Sequence, residues 1–179
     1  MFEQPLITEI QNDKNIYMLE RFPVITVYDD NFFVRNDYDI LSRGQRSYLI
    51  NFLKVYGYKQ RSGKLVSDGS NNIHFPKPKH TLALSSYRDN LQLRPETDYY
   101  VITPSTFAEV LFYEALEKGK NWGVEQIKQL INKCPYNIEL IRDINYRTPI
   151  QDITKATFKE LTDYQADVVK EKFKFKKTL

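Results

Sequence analysis

Between residues 103 and 173 apolar side chains return every three or four positions, and this constrains the C-terminal half to be mostly helical. Thr103-Pro104 is a strong helix start. The hydroxyl can accept an otherwise unmade backbone N–H, and proline at the first helical position lacks an N–H that would have no partner there anyway. Behind it, Ala108, Leu111, Phe112, Ala115, Leu116 and Gly119 form one stripe, which predicts a core helix over 105–118. A second helix is predicted over 122–133, with Asn121 as its cap and Val124, Ile127, Leu130 and Ile131 inward; Pro135 stops it. Residues 138–144 fit strand or helix. A long helix is predicted over 154–173, with Phe158, Leu161, Tyr164 and Val168 inward. Lys170, Lys172 and Lys174 suit the negative end of its dipole.

Upstream the period changes. Residues 1–14 show none. Segments 24–28 and 32–35 are rich in β-branched and aromatic residues, and Asp29-Asp30-Asn31 between them predicts a hairpin. A helix is predicted over 42–56. Ser42 and Gln45 fit a capping box, Leu49, Phe52, Leu53 and Tyr56 share a face, and Gly57 is a natural stop. Short strands follow: 64–66 and 73–75 around the turn Asp68-Gly69-Ser70-Asn71, then 81–84 after a loop held extended by Pro76 and Pro78. Residues 99–102 form a further strand. Together these predict one α+β domain over 1–179: an N-terminal antiparallel β region with one helix, then a mostly helical half.

The chain reaches 179 residues with a single cysteine, so its core needs no disulfide. Cys134 ends an apolar helical pattern and reads as a buried structural thiol. The first residues carry neither a basic stretch nor a long apolar run, and no segment approaches the roughly 20 apolar residues that span a bilayer. The expectation is a cytoplasmic protein with no membrane contact.

Charge is the informative departure. Residues 1–41 hold three basic and eight acidic side chains, whereas residues 42–94 hold ten basic and two acidic. Candidate nucleic-acid contacts are Arg43, Arg46 and Lys54 on the predicted helix, then Lys59, Arg61 and Lys64 in the strands. Lys77, Lys79, His80 and Arg88 follow in the loop region. Cations release counterions from phosphates, and Tyr48, Tyr58, Phe75 and Tyr87 interleave as rings that can stack on bases. Over Leu49 to Leu84, the run Val55-Tyr56-Gly57-Tyr58 followed by Gly69-Ser70-Asn71-Asn72-Ile73-His74-Phe75 resembles the HicA toxin family. That resemblance, over about a fifth of the chain, implies a double-stranded-RNA-binding-like scaffold. The catalytic His that follows the Gly-Ser pair in that family is Asn71 here, which cannot act as a general base, so an RNA-binding scaffold without that activity is implied.

Other constellations are weaker. Asp29, Asp30, Asp37 and Asp39 cluster, but the first two sit where a turn favours Asp. His74 and His80 match no metal spacing, though they could act as acid and base on a phosphodiester. The Thr103–Thr106 junction reads as an ordinary cap. No phosphate-binding loop, nucleophile elbow or zinc motif occurs, so no cofactor and no metal are expected. The leading expectation is a non-catalytic nucleic-acid-binding or accessory module, with RNA or DNA as partner. The alternatives are a protein-interaction adaptor or homodimer, and a metal-independent nuclease around His74 and His80.

Overall fold

A computed structural model describes residues 2, 4–19, 22–28, 39–76 and 97–173. Their elements run α1 (Gln4–Asn12), β1 (Ile16–Met18), β2 (Val24–Val27), α2 (Arg43–Val55), β3 (Lys59–Ser62), β4 (Leu65–Ser67), β5 (Asn72–His74) and β6 (Asp98–Val101). Four helices follow: α3 (Pro104–Lys118), α4 (Lys120–Lys133), α5 (Ile138–Ile144) and α6 (Gln151–Lys172). The class is α+β with a helical C-terminal half, as the periodicity implies.

The six strands form one mixed sheet in the order β1-β2-β6-β5-β4-β3. β1 and β2 pair antiparallel, as do β3, β4 and β5, while β6 lies between β2 and β5 and runs parallel to both. The expected hairpin of 24–28 with 32–35 has its second strand outside the described residues. Both edges of β2 are taken by β1 and β6; residues 29–38 lie outside the described residues, as does the expected strand 81–84.

Strand alternation sends side chains to two cores. Ile16, Met18, Ile25, Val27, Val66, Ile73, Tyr99 and Val101 face α1 and α2, meeting Leu6, Ile10, Leu49 and Leu53. Tyr17, Val24 and Tyr100 face the C-terminal helices, meeting Phe107, Leu111, Ile127 and Leu130. The N-terminal helix α1 has no counterpart in the sequence reading. It is held from outside: Phe2 stacks on Tyr99 with ring centroids 3.6 Å apart, and the Phe2 N–H donates to the Tyr99 hydroxyl at 2.8 Å.

α2 forms as its cap predicts. The Gln45 N–H donates to Ser42 Oγ at 3.0 Å and the Ser42 N–H to Gln45 Oε1 at 2.8 Å. Gln45 Nε2 also reaches the Val27 carbonyl at 2.7 Å, fixing the helix to β2. Gly57 ends it at φ +84°, a conformation glycine adopts freely.

Two details of the helical half differ from expectation. Leu116 is 49 % exposed although Ala115 beside it is buried, because α4 packs on the Ala115 side. α4 starts at Lys120, not after Asn121. Gly119 alone separates it from α3, at φ +96°, and no side chain caps it. Asn137 settles the ambiguous segment as helix α5, its Oδ1 accepting the Leu140 N–H at 2.9 Å. Gln165 then ties α6 to the turn between α4 and α5 through both the N–H and the carbonyl of Tyr136.

Candidate phosphate-binding flank and sheet-face site

The basic segment folds as a unit: α2, then the β3–β4 hairpin, then β5. Between residues 40 and 67 it carries six Lys and Arg and no Asp or Glu. At 100° per residue, Arg43, Arg46, Ile50 and Lys54 fall within a sector of about 80° on α2. Arg46 shows where that sector points: its guanidinium lies over the Phe75 ring, 4.6 Å from the centroid, and donates to the Gly63 carbonyl at the hairpin tip. Arg46 is thus half-buried and engaged in holding α2 to the hairpin. Arg43 and Lys54 line the same flank and are exposed.

β3 is an edge strand, and all four of its residues are exposed. Lys59 and Arg61 lie on it and Lys64 in the turn after it. Arg43, Lys54, Lys59, Arg61 and Lys64 make no ion pair among the described residues. The C-terminal helices contrast sharply: Lys118 pairs with Glu114, Lys128 with Glu160, Lys159 with Asp163 and Arg142 with Asp143. Lys77, Lys79, His80 and Arg88 lie outside the described residues, so the His74–His80 pairing does too.

The turn between β4 and β5 is locked by Asp68, whose carboxylate accepts the N–H groups of Ser70 at 2.7 Å and Asn71 at 2.6 Å. Burial alone would raise this carboxyl. Those two donors, with Asn71 Nδ2 and Tyr58, outweigh burial and hold it below its ordinary value. Asn71 is buried in this turn and closes it.

On the opposite face of the sheet, one cross-strand row runs Lys59, Ser67, Asn72, Asp98, and the next runs Ser62, Leu65, His74, Tyr100. His74 Nε2 lies 2.9 Å from Asp98 Oδ2, and Asn72 Nδ2 donates to Asp98 Oδ1 at 3.0 Å. The imidazole also lies nearly parallel to the Tyr100 ring, 5.1 Å away. A histidine held by one nitrogen and a ring face keeps its other nitrogen for chemistry. Asp98 and Asn72 were not visible as partners in the sequence, since β5 and β6 are separated by 24 positions.

Comparison with protein families, with curated proteins and with solved structures finds no match in any of the three.

The remaining candidates resolve as structure. Thr103 Oγ1 accepts the Thr106 N–H at 3.2 Å inside the core, an ordinary cap. Cys134 is fully buried, and burial pushes its thiol well above the usual range. Beside it lies a cation that the sequence did not flag. Lys133 Nζ donates to the Ile10, Gln11 and Ile16 carbonyls, bridging the C-terminal end of α1 to β1. Burial lowers the pKa of that ammonium. Asp39 is buried; Asp29, Asp30 and Asp37 lie outside the described residues. No described helix is long and apolar enough to cross a membrane.

Proposed function

We propose that the protein binds the phosphate backbone of nucleic acid along the flank made by α2 and the β3–β4 hairpin. One observation carries the reading: Arg43, Lys54, Lys59, Arg61 and Lys64 are exposed on one αββ unit, and none is paired with a carboxylate among the described residues. Unpaired cations keep their field, and closely spaced ones release counterions when they meet phosphates. Charge on an edge strand also deters strand-to-strand aggregation. That role accounts for Lys59, Arg61 and Lys64, but not for the cations on α2 or for the lack of any Asp or Glu from 40 to 67.

The test is binding of short single- and double-stranded RNA and DNA, read by fluorescence anisotropy. The five cations are changed together to Ala, with Lys155→Ala/Lys159→Ala on α6 as the control. Binding that disappears in the first variant and persists in the second supports the reading. Wild-type protein that ignores every oligonucleotide at low salt overturns it and leaves a protein-interaction adaptor as the alternative.

A further inference from the structure

This part of the sheet face carries polar groups, with Ser67 and Asp98 buried and Asn72 and His74 half-buried. The His74 side chain is 32 % exposed and that of Asp98 10 %. Asp98 spends one oxygen on Asn72 and the other on His74 Nε2. The carboxylate therefore favours the tautomer with hydrogen on Nε2, leaving the lone pair on Nδ1, which has no partner among the described residues. Tyr100 supports one side of the ring. Such a pair is an oriented general base. Lys59 stands on the same face two strands away and also lies on the β3 edge, so a strand held along the basic flank can cross that edge towards His74.

We propose that this face cleaves RNA without a metal ion, with His74 as general base and Asp98 as its positioning residue; the proposal rests on the nucleic-acid reading above. His74 Nδ1 takes the proton of a ribose 2′-hydroxyl. The 2′-oxygen bonds to the adjacent phosphorus as the bond from phosphorus to the 5′-oxygen breaks. The leaving 5′-oxygen takes a proton from water, and the hydroxide so formed removes the proton from His74. The products are a 2′,3′-cyclic phosphate and a 5′-hydroxyl, and neither oxidant nor cofactor is consumed. Lys59 serves to hold a phosphate of the bound strand.

The experiment incubates end-labelled single-stranded RNA, and DNA of the same sequence, with the full chain in EDTA. Binding is measured in parallel. The expected result is that both are bound and only RNA is cut, leaving 2′,3′-cyclic phosphate ends. His74→Gln should slow cleavage at least about 100-fold while retaining affinity. Asp98→Asn should lower kcat with KM unchanged, the signature of a group that orients the base and does not hold substrate. RNA that is bound but stays intact overturns this inference and leaves the binding reading standing, whereas no binding to either polymer overturns both. Cleavage undiminished in His74→Gln, or DNA cut as fast as RNA, also overturns it. The comparison of RNA with DNA and the chemistry of the ends use wild-type protein, so they decide the matter even where a variant folds poorly.

Discussion

Leu111 and Leu116 lie on one apolar stripe in the sequence, yet the structure gives them opposite weights. Leu111 is fully buried between the sheet and α4, while Leu116 is 49 % exposed. Leu111→Ala removes transfer energy and leaves a cavity in the core, costing about 3–5 kcal/mol. In a chain of this size each kcal/mol moves the melting temperature by about 2–4 °C, so the loss should be about 6–20 °C. Leu116→Ala touches a half-solvated side chain and should stay within about 0.5 kcal/mol. Thermal melts followed by far-ultraviolet circular dichroism separate the two. Equal shifts for both variants, or no shift for Leu111→Ala, would refute the placement of α3.

Three further outcomes follow from the packing and the titrating groups. A Cβ on Gly123 would sit 2.5 Å from Ala115 Cβ, so Gly123→Ala forces α3 and α4 apart. Overpacking at about 1–3 kcal/mol should outweigh the roughly 1 kcal/mol gained in helix propensity, and a net gain in urea stability would show that these helices do not meet there. Because the folded Asp68 carboxyl is held below its ordinary value, its stabilisation is present at neutral pH and is lost as pH falls through the folded pKa. Asp68→Asn should therefore destabilise at neutral pH, with the difference from wild type shrinking as pH falls below about 4 and lost only below the folded pKa; a constant difference would contradict the turn geometry. Cys134, fully buried with its thiol pKa raised, should react with alkylating agents only after unfolding, and rapid labelling of native protein at neutral pH would contradict its burial.

What was legible in the sequence was local. The capping box of α2, the Asp68 turn and the Thr103-Pro104 start depend on neighbours within a few positions, and each stands where the residues put it. The parallel insertion of β6 between β2 and β5 depends on pairing between distant segments, such as Asn72 with Asp98, and no local pattern specifies it. The Asp98–His74 pair is a consequence of that insertion, so it could not be read either. α1 escaped because its nine residues owe their order to Tyr99 and to β1 rather than to a cap or a long period. Leu116 was misplaced because periodicity identifies an apolar stripe but not how far the neighbouring helix extends along it. In the basic segment, charge density could be counted from sequence. That Arg46 is engaged with Gly63 and Phe75, while Arg43, Lys54, Lys59, Arg61 and Lys64 make no ion pair among the described residues, required the fold.

The salt dependence of oligonucleotide binding tests the central claim most directly. If the α2 and β3–β4 flank holds phosphates, the logarithm of the association constant should fall linearly with the logarithm of salt concentration. Each phosphate contact contributes about 0.7 to the slope for single strands and about 0.9 for duplex DNA. Changing Lys59, Arg61 and Lys64 together to Ala should make that slope shallower by about 2 for single strands and nearly 3 for duplex DNA, and weaken binding similarly across sequences. An affinity that does not respond to salt, or a slope identical in wild type and variant, would contradict the account.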